Sequence, residues 1–229
     1  LTALAVLVLA MAGLWRELAL KKGAHIESPA AGKETSGETW RAYLLNGDML
    51  RAGEWFRSAI TLDPNYAPGW LALADVELRA GNSQQAQERL KLLFRRAPNY
   101  APARLLQAQA SLAQNRPGEA EQALAALLAG DPENVEVMLA LARAEVGLGR
   151  REVAAGLLER SAVLRPQDPR PILLRARLEV DSGRAANALA HLKAAQQRLG
   201  GFPEVASMLA SVALVAGEPA VALAHFGQL

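Results

Sequence analysis

The stretches TLDPNYAPGW, residues 61–70, and FRRAPNYAPAR, residues 94–104, share the five letters PNYAP, at 64–68 and again at 98–102. The offset is 34 residues. Further steps of 34 reach Pro132 and Pro166, and then Gly200 just ahead of Phe202-Pro203, with LDPN, RAPN, GDPEN and LRPQD around the four in-phase prolines. A constant period between 20 and 50 residues marks a chain built from stacked copies of one supersecondary unit.

With the recurring proline counted as position 32, other columns hold the same phase. Position 20 is Ala52, Ala86, Ala120, Ala154, Ala188 and Ala222; position 8 is Ala74, Ala108, Ala142, Ala176 and Ala210. Position 24 is Phe56, Leu90, Leu124, Leu158, Leu192 and Phe226, and position 15 is Gly47, Gly81, Asn115, Gly149, Gly183 and Gly217. Small residues at 8 and 20 let two antiparallel helices approach closely, and the larger side chain at 24 fills the gap to the next layer. Gly or Asn at 15 supplies the left-handed residue that ends the first helix. Proline at 32 stops the second helix, while Pro68, Pro102 and Pro203 can open first helices, and Pro117 and Pro219 second ones, without losing a needed hydrogen bond.

These columns resemble the tetratricopeptide repeat family over residues 38–229: Trp70 at position 4, Leu73, Leu141 and Leu209 at position 7, alanine at 8 and 20, and proline at 32. The chain departs at position 11, where the usual tyrosine survives only as Tyr43 and is otherwise Glu77, Ser111, Glu145, Glu179 and Ala213. The resemblance implies an all-α, right-handed α-solenoid of helix-turn-helix repeats. The expected units are a degraded one at 38–64, four full ones at 67–98, 101–132, 135–166 and 169–200, and a sixth cut short at 229. Each hairpin leaves an apolar face bare, so stacking is obligatory.

Composition agrees. Hydrophobic residues are 51% of the chain and aromatics 5%, so the core is mostly Ala, Leu and Val. The 25 basic and 23 acidic groups nearly cancel, which argues against nucleic acid as a partner. The absence of cysteine excludes disulfides, thiolate metal sites and cysteine nucleophiles.

Residues 1–15, LTALAVLVLAMAGLW, carry no charge, and Arg16, Lys21 and Lys22 follow. We read residues 1–20 as a hydrophobic membrane segment, with Trp15 and the basic flank at the interface. A signal peptide cleaved after Ala10-Met11-Ala12 is the alternative; a buried soluble helix fits less well, because no polar face is present. The flank on the C-terminal side places the repeats on the cytoplasmic side of a bacterial inner membrane, or in the periplasm if the segment is cleaved. Residues 21–37, rich in Gly, Ser, Pro and Ala, read as a flexible linker. The chain opens on Leu1 and its helical pattern still runs at Leu229, so both ends are read as cut.

No catalytic constellation emerges. Gly147-Leu148-Gly149 lacks the preceding strand of a phosphate loop, because Gly149 is the repeat's turn glycine. His191 and His225 share position 23 one repeat apart, about 8–10 Å by helix spacing, too far to share a metal ion; His25 lies in the linker. Glu77, Glu145 and Glu179 are expected to be solvated or paired, Glu179 with Arg175 four residues before it. No enzyme activity, cofactor, metal or small-molecule substrate is therefore expected.

The resemblance implies that first helices line an inner, concave surface. Position 5 gives Leu71, Leu105, Leu139 and Leu173, and position 12 gives Leu78, Leu112, Val146 and Val180. Between them runs position 9: Asp75, Gln109, Arg143 and Arg177. Two apolar rails around a polar ladder suit an extended segment or helix of a protein partner, with an acidic group near Arg143 and Arg177. Family members that clamp a partner's C-terminal carboxylates use Lys at position 5 and Asn at 9, which this chain lacks. The expected role is a membrane-tethered scaffold of a bacterial envelope assembly such as exopolysaccharide export, pilus assembly or cytochrome maturation. The alternatives are a soluble periplasmic adaptor or the regulatory arm of a larger enzyme.

Overall fold

The computed structural model describes residues 49–98 and 100–226. The expected membrane segment at 1–20, the linker at 21–37 and the first helix of the degraded unit lie outside the described residues. No helix among the described residues is long and apolar enough to cross a membrane.

Eleven α-helices and no strand occur among the described residues. The second helix of the degraded unit is α1, Met49–Leu62. The full repeats follow as α2 (Ala67–Arg79) with α3 (Ser83–Arg96), and α4 (Ala101–Ala113) with α5 (Pro117–Gly130). Next come α6 (Val135–Gly147) with α7 (Arg151–Leu164), and α8 (Arg170–Asp181) with α9 (Ala185–Leu199). The last pair is α10 (Pro203–Val215) with α11 (Pro219–Phe226). The fold class is the one the repeat implied: all-α, with 34-residue helical hairpins stacked in each of two compact units, divided between Gln114 and Asn115.

The turn chemistry sets the helix ends. Gly81, Gly149, Gly183 and Gly217 have φ between +72° and +82°, and Asn115 stands at +56°. After Gly149, the Arg150 N–H reaches back to the Glu145 carbonyl at 2.8 Å, while the Gly149 N–H bonds Val146 at 3.0 Å. Together these close the last turn of α6 and satisfy carbonyls the helix cannot. The same pair of bonds recurs after Gly81, Gly183 and Gly217. A Cβ added at Gly149 would meet nothing within 4 Å, so Gly149→Ala costs backbone strain alone. We expect a loss of about 1–2 kcal/mol in urea unfolding without change in helix content.

The second helices α1, α3, α5 and α7 end two residues before their position-32 prolines, because the residue preceding a proline disfavours the α conformation. Gly200 lifts that restriction, and α9 runs one residue further, to Leu199.

In unit 1 the core joins Ala52, Phe56, Leu71, Leu73, Ala74, Ala86, Leu90 and Leu93. Trp70 Nε1 donates to the Pro64 carbonyl at 2.9 Å, and the Arg96 guanidinium lies 4.9 Å from the Trp70 ring centre. Tyr66 covers Gly69, where a Cβ would come within 2.7 Å of its ring. The first PNYAP copy is thus packed against the helix it introduces. Burial, with Tyr100 and Asp63 nearby, pushes the Tyr66 hydroxyl up to about 12.

Among the described residues, buried hydrophobic clusters run through unit 2. In them the position-8 and position-20 alanines, Ala142, Ala154, Ala176 and Ala188, are buried beside Leu158 and Leu192 at position 24. Gly147 shows how close the approach is: a Cβ there would stand 2.9 Å from the Pro117 ring.

Candidate docking face

The position-11 glutamates come first, because they departed from the repeat pattern. They are not solvated: Glu77, Glu145 and Glu179 are all buried, and each is held by a cation, since a lone buried charge would be costly. Arg89 Nε donates to Glu77 at 3.2 Å, and Arg150 Nη1 to Glu145 at 3.3 Å. Glu179 accepts from Arg175 Nε at 3.3 Å, the expected pair, and also lies 3.0 Å from His191 Nδ1. With the proton on Nδ1, the ring donates to Glu179 and accepts at Nε2 from Arg175 at 3.5 Å. Arg89 and His191 both occupy position 23, so the acid on one helix of a hairpin is matched from the other. His25 lies outside the described residues. No three metal-binding side chains converge among the described residues.

A second network was not foreseen. Glu136 and Arg170 occupy position 2 on α6 and α8, and Arg170 donates to both Glu136 oxygens at 2.7 and 2.8 Å. Arg170 also reaches Asp168, and Arg165 joins Glu136 at 3.0 Å. Burial alone would raise both carboxyls, but hydrogen bonds and charge from Arg170 and Arg165 outweigh it and hold Glu136 and Asp168 below their ordinary values. A depressed carboxylate adds stability that is present above its unfolded pKa and lost as pH falls through its folded one. Melting temperature is therefore expected to drop as pH falls below the ordinary values of 4.5 and 3.8. Glu136→Gln should shrink that drop, as thermal melts at stepped pH would measure. Asp75 acts in the opposite sense: burial pushes its carboxyl up despite Arg79.

The twelve expected docking residues fall into three groups. In unit 1, Leu71 and Asp75 are buried, and Asp75 is engaged by Arg79 Nε at 2.8 Å. Asp75 therefore does not stand open in a polar ladder. Leu78, Leu105, Gln109 and Leu112 are half-buried. In unit 2, Leu139 is buried, Leu173 and Val180 are half-buried, and Arg143, Val146 and Arg177 are exposed. Leu214, at position 12 on α10, continues the row of Val146 and Val180 and is 54% exposed.

Arg143 and Arg177 differ from their neighbours. Arg170 and Arg175, on the same helix as Arg177, are paired with carboxylates. Among the described residues, Arg143 and Arg177 have neither a side-chain hydrogen bond nor an ion pair with any carboxylate. They occupy one position on successive first helices that pack together within unit 2. Each stands one turn from an aliphatic side chain, Val146 or Val180. Such a surface can pair with carboxylates at little desolvation cost while burying aliphatic groups beside them.

Comparison with known proteins follows the repeat. The tetratricopeptide repeat family model matches residues 43–110 and 111–178. A thermophilic TPR protein of Thermus thermophilus superposes with a TM-score of 0.69 at 22% identity, over 77% of this chain and 96% of that one. PilW, a type IV pilus biogenesis factor, gives 0.69 at 22% identity over 84% and 89%. PilF of Pseudomonas aeruginosa gives 0.61 at 22% identity over 84% and 87%. At such identities the likeness is one of fold. No curated protein sequence matches the chain.

Proposed function

Since the chain belongs to the tetratricopeptide repeat family, we propose that it is a non-catalytic scaffold that docks a protein partner on the first-helix face of unit 2. The observation that carries this reading is the pair of exposed arginines, Arg143 and Arg177, which have no ion pair among the described residues although Arg170 and Arg175, on the same helix as Arg177, are paired with carboxylates. A protein that leaves two guanidinium groups unpaired beside aliphatic side chains has a surface ready for an acidic, partly apolar segment.

The apolar sequence at 1–20 supports a tether to a bacterial inner membrane, with the repeats in the cytoplasm and the partner part of an envelope assembly. Among the assemblies considered, pilus biogenesis gains support from the fold shared with PilW and PilF. Affinity capture from native membranes tests the docking reading. A partner retained by the wild-type chain and lost when Arg143 and Arg177 are reversed in charge supports it, and capture indifferent to those residues removes it.

One observation favours a second reading of the first segment: Ala10-Met11-Ala12 has the small-residue pattern of a signal cleavage site. In that reading the protein is a periplasmic adaptor. N-terminal sequencing of the mature protein decides, since a start near Gly13 excludes the tether.

A further inference from the structure

Residues 91–104, KLLFRRAPNYAPAR, contain four cations and no carboxylate. Lys91 and Arg95 lie four residues apart on α3, so their side chains are neighbours on its surface. Arg96 ends the same helix, and Arg104 stands in the first turn of α4, four connecting residues away. All four are exposed, and no ion pair holds Lys91, Arg95 or Arg104 among the described residues. Arg96 is fixed differently, over the Trp70 ring and onto the Leu92 carbonyl at 3.2 Å.

The surroundings do not cancel this charge. Residues 49–114 hold eight Lys or Arg and five Asp or Glu, but Asp75 and Glu77 are buried in pairs with Arg79 and Arg89. The rest of the unit thus sets six cations against three carboxylates. In unit 2, residues 115–226 carry twelve cations and thirteen carboxylates, so the surplus belongs to unit 1 alone. Helix-dipole compensation covers Arg95 and Arg96, in the last turn of α3, but not the other two cations. The second helices α5 and α7 end without any basic residue in their last turn, and neither Lys91 nor Arg104 lies at a helix C-terminus. Leu62, half exposed at the end of α1, adds apolar surface at the equivalent end of the preceding repeat.

We propose that this end of unit 1, formed by Lys91, Arg95, Arg96 and Arg104, rests on an anionic phospholipid surface. Cations near such a surface are each attracted by about fivefold in partition, the equivalent of about 1 kcal/mol. Exposed cations close together at the junction of α3 and α4, three of them without an ion pair among the described residues, fit an anionic headgroup layer. This end lacks the base-stacking aromatic platform that single-stranded nucleic acid needs, because Phe94 and Tyr100 are drawn into the unit 1 core. The proposal shares only the membrane with the tether reading, and the two fail separately.

The test is vesicle co-sedimentation of the full chain with pure phosphatidylcholine and with mixed phosphatidylcholine–phosphatidylglycerol vesicles. An apolar anchor binds both, whereas the basic end binds only in proportion to phosphatidylglycerol. The expected result is an increment on anionic vesicles that falls about a hundredfold in the triple variant Lys91→Gln, Arg95→Gln, Arg104→Gln. Raising the salt on the wild-type chain should erase the same increment, and this arm stands even if the variant fails to fold. Equal partition into both vesicle types overturns the proposal, as does an increment that the triple variant or salt leaves intact. Tighter binding of a single-stranded oligonucleotide through the same three residues overturns it too, assigning the surface to nucleic acid. Binding to neither vesicle type removes tether and surface together; binding to both without an increment removes the surface alone.

Discussion

Leu158→Ala lowers the unfolding free energy by about 2–5 kcal/mol, the range for deleting a fully buried leucine side chain. Leu158 is 1% exposed and packs among Val135, Leu139, Ala142, Ala154 and Leu178, so it joins α7 to the first helices α6 and α8. The alanines around it have no spare side chain to swing into the void, so the cavity should stay largely open. For a chain of this length each kcal/mol shifts the melting temperature by roughly 2–4 °C, and a fall of about 4–20 °C is expected by calorimetry. Stability in repeat proteins is a sum of units and their nearest-neighbour interfaces. Hydrogen exchange should therefore accelerate first in α6–α8. A loss below about 1 kcal/mol would mean that the site closes over the missing atoms and that position 24 is not the layer-to-layer contact the repeat requires.

Reversing both docking-face charges, Arg143→Glu with Arg177→Glu, weakens partner capture by at least about a hundredfold. Arginines at the centre of an interface commonly carry about 2 kcal/mol or more each, and reversal replaces attraction by repulsion. The fold should hardly notice. Both side chains are exposed and make no ion pair among the described residues, so circular dichroism and melting temperature stay within the small range of ordinary surface substitutions. Arg170→Glu supplies the contrast on the same helix. It removes the cation shared by Glu136 and Asp168 and leaves two partly buried carboxylates facing a third, so it should destabilise the chain strongly. Capture that survives the double reversal with the fold intact would move the partner off this face.

Much of the architecture was legible because 34 residues is a geometric period. The small residues at 8 and 20, the left-handed residue at 15 and the proline at 32 each answer a local steric demand, and local demands leave a mark at every turn of the repeat. The exception at Gly200 was legible in the same terms, since losing the proline let α9 extend by one residue. Burial of polar groups was not legible. Glu77, Glu145 and Glu179 look like surface acids in a periodic reading. Their burial depends on Arg89, Arg150 and His191, which lie twelve, five and twelve residues away and are brought over them by the hairpin. The equivalence of Glu136 and Arg170 at position 2 was a usable signal for the second network, but only their opposite signs one repeat apart pointed to it.

Position 9 marks the division. By itself the sequence determined that Asp75, Gln109, Arg143 and Arg177 occupy one column on successive first helices, because helical periodicity and a fixed repeat length leave no other register. Tertiary structure alone decided that Asp75 is buried against Arg79 while Arg143 and Arg177 stand exposed with no counter-ion among the described residues. A column fixes direction along a helix. What a side chain then meets is set by how closely the neighbouring helices pack and by which carboxylates their turns bring within reach.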